Sequence, residues 1–249
     1  MTDEALPRRR FLLGAGLVGT GLVGTGLAGT AIAAGIAEPA EAQPQQPAPA
    51  PAAASPVPDT FVTLTASEAA FIVAAVDTLI PADELSASGS DCGVAVFIDR
   101  QLDSAWGGGA KMYRSGPYHK GKPEQGYQLA LTPREFFAAG IAAANAWSRK
   151  NFAGKDFDRL AADDRVAALK AMEAGKAAFE NFDGRAFFVQ LHAITMAGFF
   201  ADPIHGGNRD KVAWKMLGFP GLPATYADKI DAYRDKRYVA EPQSIADFS

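Results

Sequence analysis

Beyond residue 60, apolar positions recur at intervals of three and four, and no stretch alternates apolar and polar residues long enough to make a strand. Thr65-Ala66-Ser67-Glu68 is a capping box. Ala69, Ile72, Val73, Val76 and Ile80 follow at helical spacing until Pro81 stops them. A shorter helix is predicted over 93–104, with Val94, Phe97, Ile98 and Leu102 on one side. Thr132-Pro133-Arg134-Glu135 opens the next, with an N-cap threonine, a proline in the first turn and a glutamate that closes the box; it is expected to run to Arg149. Another is predicted over 163–174, with Val166, Leu169 and Met172 turned inward. The most apolar one, over 185–200, carries Phe187, Phe188, Leu191, Ile194, Thr195 and Gly198 and reads as a nearly buried central rod. A short helix over 209–217 and a polar tail complete an all-α domain of roughly five to seven helices.

The first quarter has a different pattern. Residues 14–37, GAGLVGTGLVGTGLAGTAIAAGIA, repeat a Gly-Leu-Val/Ala-Gly-Thr unit without a charge. The segment before it, Pro7-Arg8-Arg9-Arg10-Phe11-Leu12-Leu13, resembles a twin-arginine export signal, in which Arg8, Arg9, Phe11 and Leu12 match the pattern. Ala40-Glu41-Ala42 offers a cleavage site, so residues 1–42 are expected to be a signal peptide. The competing reading is an uncleaved membrane anchor, since about 20 apolar residues cross a bilayer. Glycine and threonine make this stretch a poor spanning helix. Residues 43–58, QPQQPAPAPAAASPVP, are too poor in large apolar side chains to pack and are expected to form an extended tether. Residues 59–249 are then the folded domain, long enough for a sizeable core.

Charge and chemistry narrow the function by exclusion. Beyond residue 42 the balance is 21 basic to 24 acidic residues with no basic run, which argues against a nucleic-acid partner. Cys92 is the only cysteine. An internal disulfide and a four-thiolate metal site are therefore excluded, and the residue reads as a small core side chain, with a bridge to a partner as the minor alternative. The three histidines, His119, His192 and His205, form no Glu-x-x-His or His-Glu-x-x-His pair. There is no nucleophile elbow, no Walker loop, no dinucleotide glycine motif and no CxxCH haem attachment. No catalytic, cofactor or metal-binding residue is assigned. His192, within the apolar helix, reads as a core or interface histidine with a satisfied ring.

Two glycine-rich loops remain. The connection from Trp106 to Leu131 is long for a structureless segment in a compact domain, and such segments tend to be functional. Residues 199–221, FFADPIHGGNRDKVAWKMLGFPG, crowd a histidine, paired glycines, an asparagine and a tryptophan together. Pro203 predicts a turn, Gly206-Gly207 backbone conformations closed to other residues, and Asn208 the cap of the short helix that bears Trp214. Asp202 and Asp210 argue against a phosphate in this loop. Aromatic side chains set among glycines are typical anchors for another protein. The expected partner-facing set is Tyr118, His119, Tyr127, Phe200, Asp202, Pro203, His205, Gly206, Gly207, Asn208, Trp214 and Phe219. For Trp214, a place in the domain's own core is an equal reading.

Residues 116–137, GPYHKGKPEQGYQLALTPREFF, together with the 199–221 segment, are similar to the two signature segments of gluconate 2-dehydrogenase subunit 3, the gamma chain. That resemblance implies a small helical subunit without catalytic residues of its own. The subunit binds a large FAD-containing flavoprotein of the glucose-methanol-choline type that oxidises a sugar or sugar acid. A membrane-bound multihaem cytochrome c often takes the electrons. The implied roles are to stabilise the flavoprotein and to carry it folded through the twin-arginine translocase. The complex would then sit in the periplasm at the inner membrane. A structural subunit anchored by residues 11–37, or a stand-alone periplasmic enzyme, are the alternatives.

Overall fold

The computed structural model describes residues 60–119, 121–122, 129–223 and 225–248. The signal residues Arg8, Arg9, Phe11 and Leu12, the tether, and Tyr127 lie outside these.

Six α-helices form the described structure: α1 Ala66–Leu79, α2 Val94–Asp103, α3 Pro133–Asn151, α4 Ala162–Glu173, α5 Gly184–Phe200 and α6 Val212–Leu217. Among the described residues there is no strand, only a parallel bridge between Gly221 and Gln243. The domain is all-α. Both capping boxes form as the sequence predicts, on α1 (Thr65 with Glu68) and on α3 (Thr132 with Glu135, Pro133 in the first turn). The backbone and side chain of Thr132 hold the Glu135 carboxyl below its usual range. Asp183 caps α5 by accepting from the amides of Arg185 and Ala186.

The helices enclose a phenylalanine-rich core. Phe71 of α1 stands 4.8 Å from Phe157 and 5.9 Å from Phe187 of α5, ring centre to ring centre. Gly140 gives Phe187 its place: a Cβ on α3 there would lie 2.2 Å from the ring. α5 packs against all five other helices, so it is the central rod that its apolar sequence predicts. It is not buried all round, however. Val189, Ala193 and Ala197, four residues apart on its outer line, are exposed. A helix touched by five neighbours still has one side left over, and beyond Arg185 in its first turn small and apolar residues fill it here.

α4 differs from expectation at one residue. Ala168, Leu169 and Met172 face the core, but Val166 is exposed. It sits on the shoulder of the buried stripe, about 100° round from Arg165.

The start of the domain is tied down by a buried carboxylate. Asp99 of α2 accepts hydrogen bonds from the amides of Val62, Thr63 and Leu64 at 2.8, 3.0 and 2.9 Å, and Arg100 holds Thr60 O at 2.9 Å. Cys92 is buried in the core, where its thiol donates to Ala87 O at 3.5 Å. No helix among the described residues is long and apolar enough to cross a membrane.

Candidate functional site

Between α5 and Gly221 the chain makes two short 3-10 turns, Pro203–His205 and Arg209–Lys211, before entering α6. Three glycines in this loop stand where no other residue fits. Gly206 has φ +93°; its carbonyl oxygen lies 2.2 Å from where a Cβ on Gly93 would be, so the α1–α2 connection and this loop touch backbone to backbone. Gly207 is required by space and not by a special conformation, contrary to the sequence expectation. A Cβ there would lie 2.1 Å from the carbonyl oxygen of Gly198, inside α5. Gly221, at φ +70°, packs against Trp214 and the backbone of Gln243.

Asn208 is the N-cap residue of the 3-10 turn Arg209–Lys211 that leads into α6, while the N-cap residue of α6 itself is Lys211. Asn208 is fully buried at φ +46°, donates to Ala201 O at 2.9 Å, and accepts from the Ala213 amide at 2.9 Å. It therefore caps α6 from further back and ties that helix to the end of α5. Arg209 adds a second join, with its amide on Cys92 O at 3.0 Å and its guanidinium on Asp91 O.

The structure sorts the candidate residues into two sets. Gly206, Gly207, Asn208 and Trp214 face inward. Trp214 is 7% exposed, donates from Nε1 to Phe200 O at 2.9 Å and meets Phe219 edge-on. Of its two readings, the domain's own core holds. His205, Phe219, Tyr118 and His119 face outward, and Phe200, Asp202 and Pro203 are half-buried. Ile204 and Leu217, which sequence reasoning passed over, are exposed beside them; aliphatic residues flanking a conspicuous histidine and tryptophan were the signal for both.

The other loop is anchored at its base. The Arg134 amide donates to Gly107 O, and Gly107 sits against the backbone of Leu102. Further out, Tyr113 is 75% exposed and Tyr118 41% exposed. Trp106 leans over a recess of about 290 Å³ that Phe97, Ala193 and Ala197 also line, so this loop meets the uncharged outer line of α5.

Chemically the surface is plain. Among the described residues, no group of three or more His, Cys, Asp or Glu is placed to hold a metal ion. His192 is half-buried and stacked on Phe188; burial lowers its pKa and Glu173 partly offsets this. What the arrangement offers is a firmly held loop that presents apolar and aromatic side chains.

A family model described as gluconate 2-dehydrogenase subunit 3 matches residues 66–221, from the first residue of α1 to the glycine that closes the loop. Comparisons with curated proteins and with solved structures return no match.

Proposed function

The chain belongs to the gluconate 2-dehydrogenase subunit 3 family, and from that premise we propose that it is the non-catalytic small subunit of a periplasmic FAD-dependent sugar or sugar-acid dehydrogenase. It stabilises the flavoprotein subunit and carries it through the twin-arginine route. The observation that carries this reading is the build of the 201–221 loop within the matched span. Its buried half joins α5, α6 and the α1–α2 connection, while its outer half shows Ile204, His205, Leu217 and Phe219. A rigid scaffold under a small apolar face suits recognition of a protein, since ordering costs are met at folding and not at binding.

FAD is assigned to the partner, because this chain has no dinucleotide glycine motif and its described residues form no strand to carry one. Haem c belongs to a cytochrome subunit, since this chain has no CxxCH. Export rests on Arg8, Arg9, Phe11 and Leu12. A folded flavoprotein without its own signal would cross as a passenger on this one, which places the complex in the periplasm at the inner membrane.

The test is fractionation of cells that express both subunits. Replacing Arg8 and Arg9 by lysine is expected to leave this chain and its flavoprotein in the cytoplasm. Normal export of the flavoprotein from those cells would remove the carrier role and leave stabilisation alone. The mass of the mature chain separates cleavage after residue 42 from an anchor retained at residues 11–37.

A further inference from the structure

The C-terminal segment runs past the family-matched span and then returns to it. The Leu222 amide donates to Gln243 O at 2.8 Å and the Gln243 amide to Pro220 O at 3.0 Å, which closes the parallel bridge at Gly221. Two charged side chains of the loop reach for the returning segment. Asp202 uses one carboxylate oxygen inside the loop, for the Ile204 amide, and the other for the Ile245 amide at 2.9 Å. The Lys211 ammonium donates to Pro242 O at 3.0 Å and pairs with the Asp247 carboxylate, which also accepts from the Ser244 amide. Pro242 and Ser244 are buried.

The loop is thus bound to one short segment at two points, at residue 202 just after α5 and at residue 211 at the foot of α6. The second tie matters because α6 has six residues, and a helix that short does not hold itself together in water. Lys211 also sits in the left-handed region at φ +57°, a conformation that the surroundings must hold for a residue with a side chain.

We propose that residues 242–247 are a built-in clasp that fixes the outward face of the loop (Ile204, His205, Leu217 and Phe219) in its partner-binding geometry. Asp202 and Lys211 are the positioning residues through which it acts. The proposal rests on the reading of that face as partner-facing.

The clasp is testable on the full chain without the partner. Hydrogen exchange is measured for wild type, Asp202→Asn, Lys211→Met, Lys211→Arg and a chain ending at residue 241. Losing charged hydrogen bonds of this kind is expected to lower amide protection over 202–217 about tenfold, with α1 to α5 unchanged. Lys211→Arg, which keeps the charge and the donors, is expected to restore protection. Affinity for the co-expressed flavoprotein subunit is expected to fall with protection and to return in Lys211→Arg. Unchanged protection in the truncated chain overturns the clasp. Tighter partner binding by that chain also overturns it, because the segment would then be a cover. Lost protection at full affinity overturns the positioning role. Failure of the wild-type chain to bind the flavoprotein sinks the underlying reading instead, before any variant is compared.

Discussion

The 201–221 loop and the 104–119 loop both follow a helix and both set aromatic residues among glycines, yet they are built in opposite ways. In the first, glycines mark places where backbone meets backbone: Gly206 against Gly93, Gly207 against Gly198, Gly221 against Gln243. A buried asparagine and a buried tryptophan then fill the remaining polar positions. In the second, Gly107 at the base meets the backbone of Leu102, whereas Gly109 meets the side chains of Thr132 and Met112. At Gly116, further out, the atoms nearest to an added Cβ would be the Tyr118 ring and the Tyr118 amide nitrogen, at ordinary contact distance. The lesson is that a glycine-rich, aromatic sequence does not itself say whether a loop is scaffold or surface. The decisive fact is what stands where the missing Cβ would be.

The sharpest way to break this comparison is to add that Cβ in each loop. In Gly207→Val the new carbon meets a carbonyl oxygen and carbon of α5 at 2.1 and 3.0 Å, and no rotamer change relieves a backbone collision. A loss of about 3 kcal/mol or more is expected in denaturant unfolding. Gly116→Ala has φ +57° but room for its methyl group, and the conformational strain alone should cost about 1 kcal/mol. Equal losses would mean that the two loops are not built differently.

Asn208→Ala is the next step down in size. It leaves the Ala201 carbonyl and the Ala213 amide without the side chain that joins them. Unmet buried groups of this kind cost about 2 kcal/mol. The thermal midpoint is expected to fall accordingly, with α6 exchanging its amide hydrogens before the rest of the domain. A neutral Asn208→Ala would mean that the loop is held by its glycines alone.

The parts of this fold that were legible in the sequence are those whose causes lie a few residues apart. Thr65 with Glu68 and Thr132 with Glu135 are three-residue relations, and both form as read. The core faces of α1, α2 and α5 were legible because helical spacing repeats. What escaped has long-range causes. Asp99 reaches back 37 residues to Val62, and nothing near Asp99 in sequence announces that. Gly207 looked like a conformational glycine because its neighbour Gly206 is one, whereas its real reason is Gly198 on another element. The exposed line of α5 was hidden because Val189, Ala193 and Ala197 are apolar like the buried residues beside them and carry no mark of which side its neighbours leave open. Within the 199–221 segment, the division of its residues into inward and outward sets needed the fold.

The smallest expected effect on stability tests the outer half of the comparison. Tyr118 is 41% exposed, and its ring lies beside the backbone of Gly116 without reaching the core. Truncating such a side chain is expected to change unfolding free energy by no more than about 0.5 kcal/mol. If the outer part of the 104–119 loop is surface for the flavoprotein, the same truncation removes an aromatic anchor, and anchors of that kind carry about 2 kcal/mol at interfaces. Tyr118→Ala should therefore melt like wild type but bind the flavoprotein roughly thirtyfold more weakly. This is the opposite balance to Asn208→Ala, which loses stability first and recognition only as a consequence. Binding at full strength by Tyr118→Ala would leave the 201–221 loop as the sole grip. A large loss of stability would instead place Tyr118 among the scaffold residues and erase the distinction between the two loops.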